Sequence, residues 1–192
     1  MNITDLPLLI DCDGVLGDFL TMVERVAQQH LGLDYETSDH KALVINQFGE
    51  HADAIKYELN TPGTAMSIEP IQGAAGAISA LGMQYRVIVL TTPWWSSPTW
   101  DFERRHWLKT HMGISVKDVI FAKDKTLVNG RVLVEDSYKN ATTWANAWRR
   151  KAVLFDAPAN RGLVTPSNVI RVRDWAEAYP VILDILREQE VA

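Results

Sequence analysis

The sequence is short of the features that mark several large protein classes. It holds a single cysteine, Cys12, so no disulfide can form within the chain, which fits a reducing compartment. No apolar window reaches the length of a membrane span. Met1-Asn2-Ile3-Thr4-Asp5 lacks the basic start and apolar stretch of a secretory signal, so a cytoplasmic protein without membrane contact is expected. Positive charge is scarce too. The 19 Lys and Arg against 24 Asp and Glu give a formal net charge of -5, which argues against binding a nucleic acid polymer. The Gly-rich dinucleotide fingerprint, the P-loop and zinc-spaced His/Cys pairs are absent, as are internal repeats and low-complexity tracts.

What is present is apolar and patterned. Hydrophobic residues make up 47% of 192 residues, enough for one α/β domain with a modest insertion. The chain is organised around Leu8-Leu9-Ile10-Asp11-Cys12-Asp13-Gly14-Val15. Its apolar run matches a buried parallel strand. Residues i and i+2 of a strand point to one side, so Asp11 and Asp13 face one site if the extended geometry persists. Gly14 permits a sharp turn and lets a ligand approach the backbone. Two adjacent carboxylates repel, so one takes a proton or a cation sits between them. The alternative is an ordinary strand-to-turn junction, because Asp and Gly both favour turns. Cys12, between two acids that raise a thiol's pKa, is expected to be buried and structural rather than reactive.

Residues 18–31 carry Phe19, Leu20, Met22, Val23, Val26 and Ala27 at helical spacing, closed by Gly32. Residues 33–68 are polar and helix-compatible with no strand signal. They are expected to form a small helical cap inserted after the first strand, leaving 1–32 and 69–192 as the core. Phe48 and Tyr57 are its candidate aromatic contacts, or pack the cap to itself. Further strands are expected at 85–91, 119–122, 131–134, 152–155 and 169–172. Helices are expected at 74–81, 100–111, 138–150 and 175–188, the last with Pro180 as a point of kinking. Strands alternating with helices imply an α/β, doubly wound parallel sheet. Ligands bind such sheets outside the carboxyl ends of the strands. The polar residues gather there: Asp11 and Asp13, Thr91 and Thr92, Glu135 and Asp136.

Together these residues suit phosphate chemistry. Asp11, Asp13 and Asp136 offer hard oxygen ligands fitted to Mg2+, which takes one or two protein carboxylates plus substrate phosphate. The Thr91 hydroxyl and the Lys125 charge can hold phosphate oxygens. An aspartate attacking phosphorus gives an aspartyl-phosphate. An acid two residues on can protonate the leaving alcohol and then activate water, while metal and lysine offset charge on the transferring group.

At these residues the chain resembles the haloacid dehalogenase (HAD) superfamily of phosphatases. The shared marks are Asp11-Cys12-Asp13-Gly14-Val15 after a strand, Thr91 after a strand, a lysine, and an acidic pair after a strand. It is similar more closely to the 5'(3')-deoxyribonucleotidase family. That likeness runs through Asp11-Cys12-Asp13-Gly14-Val15-Leu16-Gly17-Asp18-Phe19, Glu69-Pro70-Ile71-Gln72-Gly73-Ala74, Thr91-Thr92-Pro93, Asp124-Lys125-Thr126 and Leu154-Phe155-Asp156-Ala157-Pro158-Ala159-Asn160-Arg161. The resemblance implies a Rossmann-like core and roles for particular residues. Asp11 would be the nucleophile and a Mg2+ ligand. Asp13 would be the general acid/base and give its backbone carbonyl to the metal, and Asp136 would complete the metal's protein ligands. Backbone N–H groups near Asp13 and Gly14, with Thr91, Thr92 and Lys125, would hold the phosphate. Phe19 would lie beside the substrate.

The chain also departs from that pattern. Glu135-Asp136 stands where relatives commonly have two aspartates, and Ser137 where many have arginine. Lys123 competes with Lys125, and the ten-residue spacing to Glu135 favours Lys125. Trp94 and Trp95 either stack on a base or pack the cap. Trp100, Trp107, Trp144, Trp148 and Trp175 fall in helical patterns and are expected in the core. The expected activity is a Mg2+-dependent phosphomonoesterase for (deoxy)ribonucleoside 5'-monophosphates, a small-molecule partner, and a homodimer is compatible with the sequence. A phosphatase for another small ester, such as a sugar phosphate, is the alternative. A catalytically degenerate binding or scaffolding domain is the alternative of another class, and the intact Asp11, Asp13, Thr91, Lys125 and Asp136 argue against it.

Overall fold

Six short strands form one parallel sheet in the computed structural model, which describes residues 2–32 and 49–191. They are β1 (Leu8–Ile10), β2 (Val87–Thr91), β3 (Val119–Phe121), β4 (Leu133–Glu135), β5 (Ala152–Phe155) and β6 (Val169–Val172). Their spatial order is β3-β2-β1-β4-β5-β6. Six helices accompany them among the described residues: α1 (Phe19–Leu31), α2 (Ala52–Asn60), α3 (Ala74–Gly82), α4 (Trp100–Met112), α5 (Tyr138–Trp148) and α6 (Trp175–Val191). The α/β, doubly wound parallel arrangement is the fold class expected. No helix is long and apolar enough to cross a membrane among the described residues.

Strand residues alternate between two apolar layers, as a period of two requires. Leu8, Ile10, Val87, Val89, Val134 and Val153 face one side, where Ile78, Trp107, Leu108 and Ile182 from α3, α4 and α6 cover them. Leu9, Ile88, Leu90, Leu133 and Leu154 face the other, under Ala141, Trp144 and Ala145 of α5. Both faces are covered, which explains why these strands are near-continuously apolar.

A third apolar cluster stands apart from the sheet. Met22, Val23, Val26 and Ala27 of α1 meet Ile55 and Leu59 of α2, Ala65, Ile68 and Trp100. The described part of the expected insertion is helical: α2, then a 3-10 turn at Thr64–Ser67. Residues 33–48, Phe48 among them, lie outside the described residues. Tyr57 is exposed.

Element ends differ from expectation for local reasons. The second strand begins at Val87 because the Tyr85 N–H still bonds the Leu81 carbonyl at the end of α3. Arg131 stays out of β4, and its guanidinium donates to the Leu186 carbonyl of α6 at 2.9 Å. Asp18 caps α1 by accepting the Thr21 N–H at 3.1 Å, and Gly32 closes it in the left-handed region. The last helix runs through Pro180 to Val191.

Candidate active site

Strand register decides which polar residues meet. Ile10 of β1 pairs with Val89 of β2 and Val134 of β4. Asp11, Thr91 and Glu135 therefore emerge together at the carboxyl edge, where the chain has gone one way from β1 to β2 and returns on the other side to β4. This is the switch point at which open parallel sheets bind ligands. A cavity of about 540 Å³ opens there, lined by Asp11, Asp13, Phe19, Thr91, Thr92, Trp94, Lys125 and Asp136. Of the site residues expected from sequence, only Gly14 is not on its wall.

Lys125 ties the cluster together. Its ammonium lies 2.7 Å from Asp11 Oδ1 and 2.6 Å from Glu135 Oε2, and it is buried. Lys123 lies exposed at the cavity mouth, so Lys125 is the lysine in contact with the carboxylates. Glu135 also accepts the Ser137 N–H at 3.0 Å. Ser137 in turn caps α5 by accepting the Asn140 N–H, which gives a helix-starting role to the position where many relatives have arginine. The Asp136 carbonyl is held from behind by Asn160 Nδ2 at 2.6 Å.

Two residues expected at the phosphate make hydrogen bonds of their own within the chain. The Gly14 N–H donates to the Gly17 carbonyl at 2.9 Å, so it is not open to a phosphate. What glycine supplies is space and a left-handed backbone. Its φ is +75, and a Cβ there would stand 2.1 Å from Asp136 Oδ2. The Thr92 hydroxyl donates to the Ala122 carbonyl at 3.0 Å, which leaves its backbone N–H as the available donor.

The aromatic side of the cavity is a single surface. Phe19 and Trp94 have ring centroids 6.4 Å apart at 40°, in contact with each other, and Trp100 completes the group at 6.1 and 6.5 Å. They make one apolar wall. Trp100, expected only in the core, is buried yet lines the cavity. Trp94 is anchored through its indole N–H to Asn60 Oδ1 of α2 at 2.8 Å, and Ser96 Oγ donates to the same oxygen.

Sequence reasoning missed Arg104. It is fully buried in α4, and its Nη2 donates to Asp13 Oδ1 at 2.6 Å. Its signal was available: Trp100, Glu103, Arg104, Trp107 and Leu108 follow helical spacing, with two charges inside the apolar stripe.

The donor set fits a divalent cation. Oxygens of Asp11, Glu135 and Asp136 lie within 4.8 Å of one another. Four carboxylates, Asp11, Asp13, Glu135 and Asp136, face two buried cations, Lys125 and Arg104, so the cluster is two positive charges short. Titration directions agree. Burial, then the Asp11 charge, pushes Asp136 up to about 7 and raises Glu135 as well. Asp13 is pushed up to about 6 by burial, with Arg104 pulling against it. The Cys12 thiol is raised chiefly by burial, and the flanking acids contribute less. Lys125 is raised because Asp11 and Glu135 together outweigh its burial.

Comparison with known proteins follows the same line. A family model described as 5' nucleotidase, deoxy (pyrimidine), cytosolic type C protein (NT5C) matches residues 5–189. A Homo sapiens protein named 5'(3')-deoxyribonucleotidase, cytosolic type, is 27% identical over 198 aligned positions, covering 94% of each chain. A solved HAD family hydrolase from Deinococcus radiodurans, with bound phosphate and sodium, superposes with a TM-score of 0.60 at 16% identity, covering 96% of this chain and 97% of that one. A haloacid dehalogenase-like hydrolase from Xanthomonas campestris does so at 0.60 and 14%, covering 97% and 99%. At such identities the solved structures establish the fold alone.

Proposed function

The chain belongs to the 5' nucleotidase, deoxy (pyrimidine), cytosolic type C family, and on that premise we propose that it is a Mg2+-dependent phosphatase of (deoxy)ribonucleoside 5'-monophosphates that works through an aspartyl-phosphate. The observation that carries this is the meeting of Asp11, Asp13, Thr91, Lys125 and Asp136 around one cavity with an aromatic wall. Residues 33–68 act in this reading as a cap. The anchoring of Trp94 to α2 supports it.

Asp11 attacks phosphorus, and the bond to the leaving oxygen breaks with its electron pair going to that oxygen. Asp13, as the carboxylic acid, gives it a proton and releases the nucleoside. Asp13 then takes a proton from water as the water oxygen attacks the aspartyl-phosphate, which frees phosphate and restores Asp11. Lys125, held by Glu135, offers charge to the phosphate oxygens beside Asp11, and Thr91 offers its hydroxyl. Asp11, Asp136 and the Asp13 carbonyl would hold the cation. Bound there, it supplies further positive charge against the developing charge of the phosphoryl group. The base lies along Phe19 and Trp94, and its face needs only one aromatic surface to stack upon.

The test is a phosphate-release screen over nucleoside 5'- and 3'-monophosphates and sugar phosphates, with Mg2+ or with EDTA. Wild type should prefer a nucleoside monophosphate and fall silent in chelator. Asp11→Asn, which keeps shape but loses the attacking charge, should lose at least about 1000-fold while staying folded. A preference for a sugar phosphate over every nucleotide would leave only the general phosphatase. Near-normal turnover by Asp11→Asn would rule out the covalent route.

A further inference from the structure

Arg104 presents a physical puzzle. It is fully buried on α4, its guanidinium carbon 4.9 Å from the Trp100 ring centroid and 5.6 Å from that of Trp107. Its Nη2 donates to Asp13 Oδ1, while Nε and Nη1 find no hydrogen-bond partner among the described residues. Burying a cation with unpaired N–H groups is a poor way to stabilise a fold, and an apolar side chain of similar volume is often neutral or better there. Asp13 keeps about a quarter of its side chain exposed at the cavity while Arg104 holds one of its oxygens. The arrangement favours precision over stability. Two indole faces fix the guanidinium in place, and its Nη2 bonds the acid beside the nucleophile.

The neighbouring residue anchors the same helix. Glu103 is also buried, and its two carboxylate oxygens accept the Gly63 N–H at 2.8 Å and the Ala65 N–H at 3.0 Å. Trp107 donates its indole N–H to the Ile68 carbonyl at 2.7 Å. Three successive inward positions of α4 thus grip the segment 63–68 on one side and Asp13 on the other.

We infer that Arg104 is a positioning residue for the leaving group's proton donor: it holds Asp13 Oδ1 so that Oδ2 is the oxygen presented to the leaving oxygen. This rests on the acid/base role of Asp13 proposed above. Arg104 itself touches no reacting atom.

The test separates the two ideas by leaving group. Phenyl phosphate and p-nitrophenyl phosphate offer the site the same ring, but the phenolate leaves poorly without a proton and the nitrophenolate leaves well. In the full chain with Mg2+, kcat/KM reports the first phosphoryl transfer. Asp13→Asn should slow phenyl phosphate far more than p-nitrophenyl phosphate, as loss of a general acid worth about 100- to 10000-fold requires. Arg104→Met, which keeps the apolar contacts with both tryptophans, should show the same selectivity in weaker form, about 10- to 100-fold on phenyl phosphate and under about 3-fold on p-nitrophenyl phosphate. Arg104→Lys should recover part of the loss, and it decides the matter if the Met variant does not fold. If Asp13→Asn is selective while both Arg104 variants slow the two esters equally, Arg104 is structural and the inference falls with the acid/base role intact. If Asp13→Asn is not selective either, the acid/base role falls first.

Discussion

Raising the pH with no divalent cation present should weaken this fold, and the buried acidic pair sets the size of the effect. Asp136 is pushed up to about 7 in the folded protein from an ordinary 3.8, by burial first and the Asp11 charge second. The folded state therefore binds this proton more tightly than the unfolded chain. Its stabilising contribution is full below the unfolded value and is lost as pH rises through about 7. A tenfold difference in proton affinity corresponds to about 1.4 kcal/mol, so moving from about pH 5 to about pH 8 removes on the order of 2 kcal/mol from this residue. For a chain of this size that lowers Tm by roughly 4–8 °C. The measurement is thermal unfolding in EDTA across that range. Saturating Mg2+ should flatten the slope, because the cation favours the ionised carboxylates and its binding strengthens as protons leave. Asp136→Asn, with no proton of its own to lose, should reduce the slope in EDTA and leave the part that Glu135 and Asp13 contribute. A metal-free protein as stable at about pH 8 as at about pH 5 would refute the claim that these carboxylates are held short of positive charge.

Other outcomes follow from individual contacts. Phe19→Ala and Trp94→Ala should each lower kcat/KM for a nucleoside monophosphate by roughly 5- to 150-fold, the loss of one stacked face, and leave deoxyribose 5-phosphate nearly unchanged. Equal losses on both would make these rings structural. Gly14→Ala should raise the Mg2+ concentration needed for half-maximal activity at least about 10-fold, since its methyl would stand 2.1 Å from Asp136 Oδ2 at a φ of +75 that disfavours alanine. Titration of activity against Mg2+ checks this, and an unchanged requirement would separate Gly14 from the metal site.

Much of the fold and of the candidate site could be read from the chain itself. Strands such as Val87–Thr91 are apolar on both faces, and only a sheet covered on both sides can bury such runs. Alternation with helices then fixes parallel order, and parallel order sends every strand's polar end to one edge. Asp11, Thr91 and Asp136 were legible for that reason. Lys125 was legible from its spacing to Glu135, which the structure turns into a contact of 2.6 Å.

What the sequence could not determine is which donors remain free once the chain is folded. Gly14 is followed three residues later by Gly17, whose carbonyl takes its N–H, and Thr92 meets Ala122 only because β2 and β3 lie side by side. Phe19 and Trp94 flank the site in sequence, but helix α1 and the loop after β2 bring their rings into contact rather than apart. Arg104 shows the limit most clearly. On a helix a charged residue ordinarily faces water, and only the packing of α4 against Asp13, with the helix's own Trp100 and Trp107 beside the guanidinium, gives a fully buried cation a reason to be there. Local chemistry is written residue by residue, whereas the pairing of hydrogen-bond donors and charges depends on which surfaces tertiary packing brings together.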